Sequence, residues 1–329
     1  MIRFALFGCG RIGRVHADSI DVHPRAELAW VYDPIESAAL EIAKQYGAAA
    51  APTADAAIDD PRVDAVVIAS ATPTHVDLLT RAVRAGKAVL CEKPIDLDLA
   101  RVDRCWTEIA ALNPTVMIGF NRRFDPSFRE VHERIAAGDI GRLEQLTIVS
   151  RDPAPATRDY LAASGGLFRD MTIHDFDLAR FYLGEVVDVY ATGANLVADY
   201  IAELDGAVVV MRGADGALCQ ITNSRRSVFG YDQRLEAFGS AGMLSVGNQH
   251  PTSVRLSNAT QTEAAPEYLN FFLDRYTPAY RAELDHLITA IEQGSQPSPG
   301  FADGREALAL ADAAVESLQT SRAVQLARS

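Results

Sequence analysis

Asp170 and His174 stand one helical turn apart in the stretch Gly165–Phe181. Within it Leu167, Met171, Leu178 and Phe181 recur at helical spacing, so an amphipathic helix entered through Gly165 and Gly166 is expected. Residues four apart share a helix face, and here both polar side chains project toward the apolar stripe. A carboxylate beside a half-buried imidazole is suited to taking a proton near neutral pH. The same local pattern also fits a core histidine satisfied by Asp170. Lys93 supplies a second chemical group. It sits in Glu92-Lys93-Pro94, directly after the apolar run Ala88–Cys91. A lysine held between a buried strand and a proline is a candidate donor to a reacting oxygen.

The element that would bring a cofactor to these groups opens the chain. Ile2–Phe7 is a short apolar run leading into Gly8-Cys9-Gly10-Arg11-Ile12-Gly13, after which Val15–Ile20 continues as helix. Gly8 permits the turn, Gly10 lets the backbone approach a pyrophosphate, and Gly13 allows helix and strand to pack closely. Arg11 and Ile12 lie within the same loop. A second strand, Leu28–Tyr32, ends in Asp33, twenty residues beyond Gly13, where a carboxylate would accept ribose hydroxyls. Pro34 and Ile35 follow it instead of an arginine that could pair with a 2′-phosphate, so NAD is expected in preference to NADP. Asp33 could also cap the next helix, with Glu36 as capping-box partner.

Helix and strand patterns then alternate through Thr115–Gly119, which predicts a parallel sheet with helices on both faces and ligands at the carboxyl ends of its strands. Three strand ends become candidate binding segments. Ser70, Thr72, Pro73 and His75 follow Ala65–Ala69 and are placed along the cofactor, as are Glu92 and Lys93. Asn121 and Arg122 follow Thr115–Gly119. From Leu143 the pattern changes to successive strands separated by turns such as Gly213-Ala214-Asp215-Gly216. Two domains are expected: a Rossmann domain over residues 1–120, and an α+β domain with a large, mostly antiparallel open sheet over residues 121–329. Two closing helical patterns, Thr277–Gln293 and Asp303–Thr320, are placed to pack back on the first domain.

Composition narrows the partners. The 329 residues are 48% hydrophobic and 23% charged, with a net charge of −13. That acidity disfavours nucleic acid and anionic membranes. No run approaches the roughly 18 apolar residues of a membrane span. The opening Met1-Ile2-Arg3 passes straight into a strand pattern without signal-peptide features, so a cytoplasmic protein is expected. The four cysteines are scattered and read as reduced, packed thiols. A metal site built from His75, Asp170 and His174 lacks a supporting His-Glu-x-x-His or cysteine cluster, and no metal is expected.

The glycine loop, Cys91-Glu92-Lys93-Pro94, Asn121-Arg122-Arg123-Phe124-Asp125 and Asp170-Met171-Thr172-Ile173-His174-Asp175 together resemble the Gfo/Idh/MocA oxidoreductases. The longer string Gly166–Asp177 is similar to the inositol 2-dehydrogenase branch of that family, and the likeness extends to Ser150-Arg151-Asp152-Pro153 and Gly230-Tyr231-Asp232-Gln233-Arg234. The resemblance implies NAD-dependent oxidation of a cyclic polyol, myo-inositol to 2-keto-myo-inositol, in inositol catabolism. It places the family's catalytic lysine, aspartate and histidine on Lys93, Asp170 and His174. His174 would act as base, Asp170 would hold its ring, and Lys93 would stabilise the developing alkoxide. Asn121, Arg122, Asp152 and Tyr231 are candidates for the rim of the polyol. The resemblance also implies a homotetramer assembled through the open sheet face. Alternatives are a dehydrogenase of another inositol isomer or a pyranose, and a non-catalytic NAD-sensing protein.

Overall fold

A computed structural model of the chain describes residues 1–197 and 204–326. The chain divides into two compact units, residues 1–124 with 277–308, and residues 125–276 with 309–329. Short, mainly apolar runs make the strands of the first unit: β1 (Ile2–Phe7), β2 (Ala26–Tyr32), β3 (Ala49–Ala50), β4 (Ala65–Ile68), β5 (Ala88–Glu92) and β6 (Val116–Gly119). They form one sheet in the order β3-β2-β1-β4-β5-β6. Every pairing is parallel. Helices α1 (Arg11–Asp21), α2 (Glu36–Tyr46), α3 (Ala54–Ile58), α4 (His75–Arg84) and α5 (Leu99–Ile109) lie between the strands in sequence. Full burial of β4, β5 and β6 means that both sheet faces are covered, as a doubly wound fold requires. The order reverses between β1 and β4, which makes their carboxyl ends the ligand crevice.

The second unit contains α6 (Pro126–Ala136), β7 (Leu143–Arg151), α7 (Arg158–Ala163), a π turn over Phe168–Thr172, and α8 (Ile173–Leu183). It continues with β8 (Val186–Ala194), β9 (Gly206–Gly213), β10 (Leu218–Ser224), β11 (Asp232–Gly239) and β12 (Gly242–Val246). The long helices α9 (Phe272–Gln293) and α10 (Phe301–Thr320) each contribute residues to both units, and β13 (Val324–Gln325) closes the described chain. The sheet order is β12-β11-β7-β10-β9-β8-β13. β7 and β10 run parallel and the remaining pairs antiparallel. Side chains alternate along β9 and β11. Val209, Met211, Leu235 and Ala237 are buried, and the intervening positions are exposed.

Three local expectations need correction. Gly165 and Gly166 do form the entry, with φ of 82° and 86°, but the following stretch is not one continuous α-helix. Its first turn is the π segment, and regular α geometry begins at Ile173. Asp33 does not cap α2. Ile35 occupies that position, and Asp33 instead accepts the Ile35 N–H at 2.8 Å in an Asx turn. Helices α6 and α7 fall between the expected strands. α6 carries a legible start, because Asp125 precedes Pro126 and its Oδ1 accepts from the Ser127 and Phe128 amides.

Candidate active site

The glycines of the first unit are explained by distances. A Cβ on Gly8, which has φ of 97°, would lie 2.5 Å from Ala69 O and Ser70 N. One on Gly13 would lie 1.9 Å from Gly8 O. These two glycines therefore close β1, β4 and α1 together. A Cβ on Gly10 would meet nothing within 4 Å, so protein packing does not require glycine there. Open space over the N-terminus of α1 is what a pyrophosphate needs in order to reach the first N–H groups. Asp33 joins this turn directly, with its Oδ2 accepting the Cys9 N–H at 2.7 Å. Burial first, and then the Asp33 charge, push the Cys9 thiol up to about 12, leaving it inert.

Two buried histidines brace the strand ends beside that turn. His75 is 1% exposed, and its Nδ1 and Nε2 lie 2.8 Å from Pro94 O and 2.9 Å from Ser70 O. The ring thus ties the turn containing Ser70, Thr72 and Pro73 to the Glu92-Lys93-Pro94 turn. Both ring nitrogens are directed at main-chain oxygens of these turns. His16 on α1 meets Glu92 with an Nε2 to Oε1 distance of 2.8 Å. The other Glu92 oxygen accepts the Lys93 N–H at 3.3 Å. Glu92 can sit there because Gly119 on β6 has no side chain, since a Cβ would be 2.9 Å from the carboxyl carbon. Lys93 is half-buried on this braced turn. Asn121 and Arg122 are buried after β6, and neighbouring Arg123 pairs with Asp303 at 2.9 Å.

In the second unit a buried polar chain fixes the π turn to the sheet. The Thr172 hydroxyl donates to Asn223 Oδ1 at 2.7 Å, and Asn223 Nδ2 donates to Asp175 Oδ2 at 2.8 Å. That anchors the start of α8 on the end of β10, with Asp170 buried and His174 half-buried one turn further on. Asp170 is held by two residues that do not stand out in the sequence. Tyr160 donates to its Oδ1 at 2.7 Å, and Arg225 Nη1 donates to its Oδ2 at 2.9 Å. The sheet brings Asp152 and Tyr231 to the same edge. Arg151 and Asp232 are register partners and pair at 2.9 Å, while the Asp152 N–H bonds Ser224 O at 2.9 Å. Burial would raise the Asp232 carboxyl, but hydrogen bonds from Arg234 and Asn248 outweigh it and hold the group below its usual range. Among the described residues, no group of three or more His, Cys, Asp or Glu side chains is gathered to hold a metal ion.

Residues 2–120 match the family model described as an oxidoreductase family with an NAD-binding Rossmann fold, and residues 128–245 match the GFO/IDH/MocA C-terminal domain. The chain is 46% identical to inositol 2-dehydrogenase of Rhizobium meliloti (strain 1021), covering 99% of both chains. The chain belongs to the Gfo/Idh/MocA oxidoreductase family. Among solved structures, myo-inositol dehydrogenase from Corynebacterium glutamicum superposes with a TM-score of 0.97 at 51% identity, covering all of both chains. The scyllo-inositol dehydrogenase from Lactobacillus casei, solved with NAD(H) and scyllo-inositol, has a TM-score of 0.89 at 28% identity and 99% coverage of each. As a Gfo/Idh/MocA member the chain is an NAD-binding oxidoreductase, and Gly10, the α1 N-terminus and Asp33 fit that cofactor. No helix among the described residues is long and apolar enough to cross a membrane.

Proposed function

We propose that this chain oxidises myo-inositol to 2-keto-myo-inositol. The observation that carries the reading is the 46% identity to an inositol 2-dehydrogenase over 99% of both chains, with Lys93, Asp170 and His174 all in place. When bound, NAD supplies the hydride acceptor. Glycines 8, 10 and 13, with Arg11 and Ile12, cradle the pyrophosphate at the start of α1, and Asp33 receives the ribose hydroxyls. The turns carrying Ser70, Thr72, Pro73 and Glu92, braced by His75, line the rest of the dinucleotide. A secondary alcohol is far too weak an acid to ionise unaided, so His174 takes its hydroxyl proton as the carbinol hydrogen leaves with its electron pair. Asp170 supports the imidazolium that forms, and Lys93 donates to the oxygen while charge develops on it. The products are a ketone, the reduced cofactor and a proton. Asn121, Arg122, Asp152 and Tyr231 supply donors and acceptors to the other ring hydroxyls.

Likeness to the Lactobacillus casei enzyme solved with scyllo-inositol supports a second reading, in which another inositol isomer is preferred. A panel of inositol isomers and pyranoses, followed by NADH absorbance, decides between them. Highest kcat/KM on myo-inositol is expected; a better isomer or sugar would replace the first reading, and no turnover on any polyol would end both. His174→Asn should abolish turnover and leave NAD affinity nearly unchanged. Loss of folding with no specific loss of turnover would return His174 to a structural role.

A further inference from the structure

We infer that Arg225 is a positioning residue for Asp170 and, with Tyr160, sets the charge that His174 experiences. The inference rests on the functional reading above. Arg225 leaves the end of β10, where its main-chain N–H bonds Asp205 O at 2.8 Å and its side chain is 2% exposed. The Asp170 side chain that it meets is 10% exposed, so both charges of the pair are removed from water. Such a pair seldom adds stability over apolar residues of the same size, because desolvation offsets the attraction. Its presence beside the proposed base calls for a chemical reason.

An isolated buried carboxylate next to His174 would stabilise the imidazolium so strongly that the ring would already hold its proton at neutral pH. The guanidinium cancels much of that field and leaves the carboxylate in place as an acceptor. Tyr160 fixes the second oxygen. Burial first, then the Asp170 charge and the hydrogen bond to it, push the Tyr160 phenol well above its usual range, with Asp152 adding and Arg225 opposing, so Tyr160 stays a donor. Asp170 is thus met by Tyr160 from α7 and by Arg225 from the end of β10, the Asp152 charge at the end of β7 acts on Tyr160, and His174 lies one turn further on in α8. Asp170 is oriented from two sides. His174 sees a nearly neutral pair instead of a bare anion.

The test combines pH profiles of kcat with 13C-histidine NMR titration of the whole enzyme, the His174 resonance being identified by its loss in His174→Asn. In Arg225→Met the acid limb and the His174 titration should move up by about one pH unit or more. Turnover near neutrality should fall by up to about tenfold for each unit of that shift and recover in part at higher pH. Arg225→Lys keeps the charge and should leave the limb near its wild-type position. Tyr160→Phe removes a donor from a half-exposed position and should shift the limb the same way by a smaller step, which keeps the test in force if Arg225→Met fails to fold. An unmoved limb and titration in the folded variants would overturn the inference. So would a raised KM for the polyol with an unmoved limb, which would make Arg225 a substrate contact. The NMR titration needs no turnover, so it still decides on Arg225 if the wild type oxidises no polyol and the functional reading falls.

Discussion

Both oxygens of Asp33 accept a main-chain N–H, from Cys9 and from Ile35, and each keeps a second lone pair for a ribose hydroxyl. The carboxylate is therefore rigidly held, and if it receives the ribose as proposed, a 2′-phosphate would bring like charge against it. Asp33→Ala should raise the KM for NAD and narrow the gap to NADP in steady-state assays; equal use of NADP by the wild-type enzyme would remove the ribose-reading role. Lys93 is held differently, by a turn whose Glu92 and Pro94 are tied down by His16 and His75. If its ammonium stabilises the developing alkoxide, Lys93→Ala should lower kcat by about 10²–10³ while the protein stays folded. Near-normal turnover would leave Lys93 a surface cation. Asp170→Asn probes the imidazolium support. Removing the negative charge should lower kcat and move the acid limb of the profile to lower pH, because a neighbouring carboxylate raises a histidine's proton affinity.

The glycine turn separates folding from binding within a single element. A methyl group at position 13 would collide with Gly8 O, whereas one at position 10 would enter open space. Gly13→Ala should lower the thermal midpoint and NAD affinity together, and Gly10→Ala should leave the midpoint close to wild type yet weaken NAD binding, by calorimetry, at least about tenfold. Equal NAD affinity in Gly10→Ala would mean that the pyrophosphate does not approach there. This turn, the alternation of strands and helices after it, and the later run of strands were legible in the sequence because periodicity and glycine spacing are local signals. The π turn was not, since residues four apart share a face in either geometry and side-chain pattern alone does not distinguish them. Tyr160 and Arg225 were hidden for another reason. They lie ten residues before and 55 residues after Asp170, and only the pairing of β10 with β7 brings Arg225 to the sheet edge where Asp152 also ends. The six-residue α7 that carries Tyr160 is too short to show a helical period.

At the scale of the whole molecule, the outer face of the second sheet is the feature still in need of a partner. Tyr190, Val208, Val210, Leu218, Phe238 and Met243 are each 37–52% exposed. The strand registers put them on one face: Tyr190 opposes Val210, Arg212 opposes Leu218, and Gln145 links Leu218 to Phe238, which opposes Met243. An apolar patch carried by five strands of a run of six, with β7 between β10 and β11, is wider than a monomer ordinarily leaves in water, and an open sheet face can pair with itself about a two-fold axis. Association must also overcome repulsion between chains that each carry a net charge of −13, which argues for a contact dominated by this face and not by its charged rim. We propose that the face is buried against a second copy, as part of a homotetramer. Light scattering coupled to size exclusion should give a mass of four chains at micromolar concentration, and Val210→Glu combined with Leu218→Glu should reduce it, because each buried carboxylate would face its own symmetry mate or an apolar neighbour. The same variant should retain the circular dichroism of the wild type, since neither side chain belongs to the sheet's inner, fully buried face. A wild-type mass of one chain, or a double variant that still assembles fully, would show that this face is not the contact.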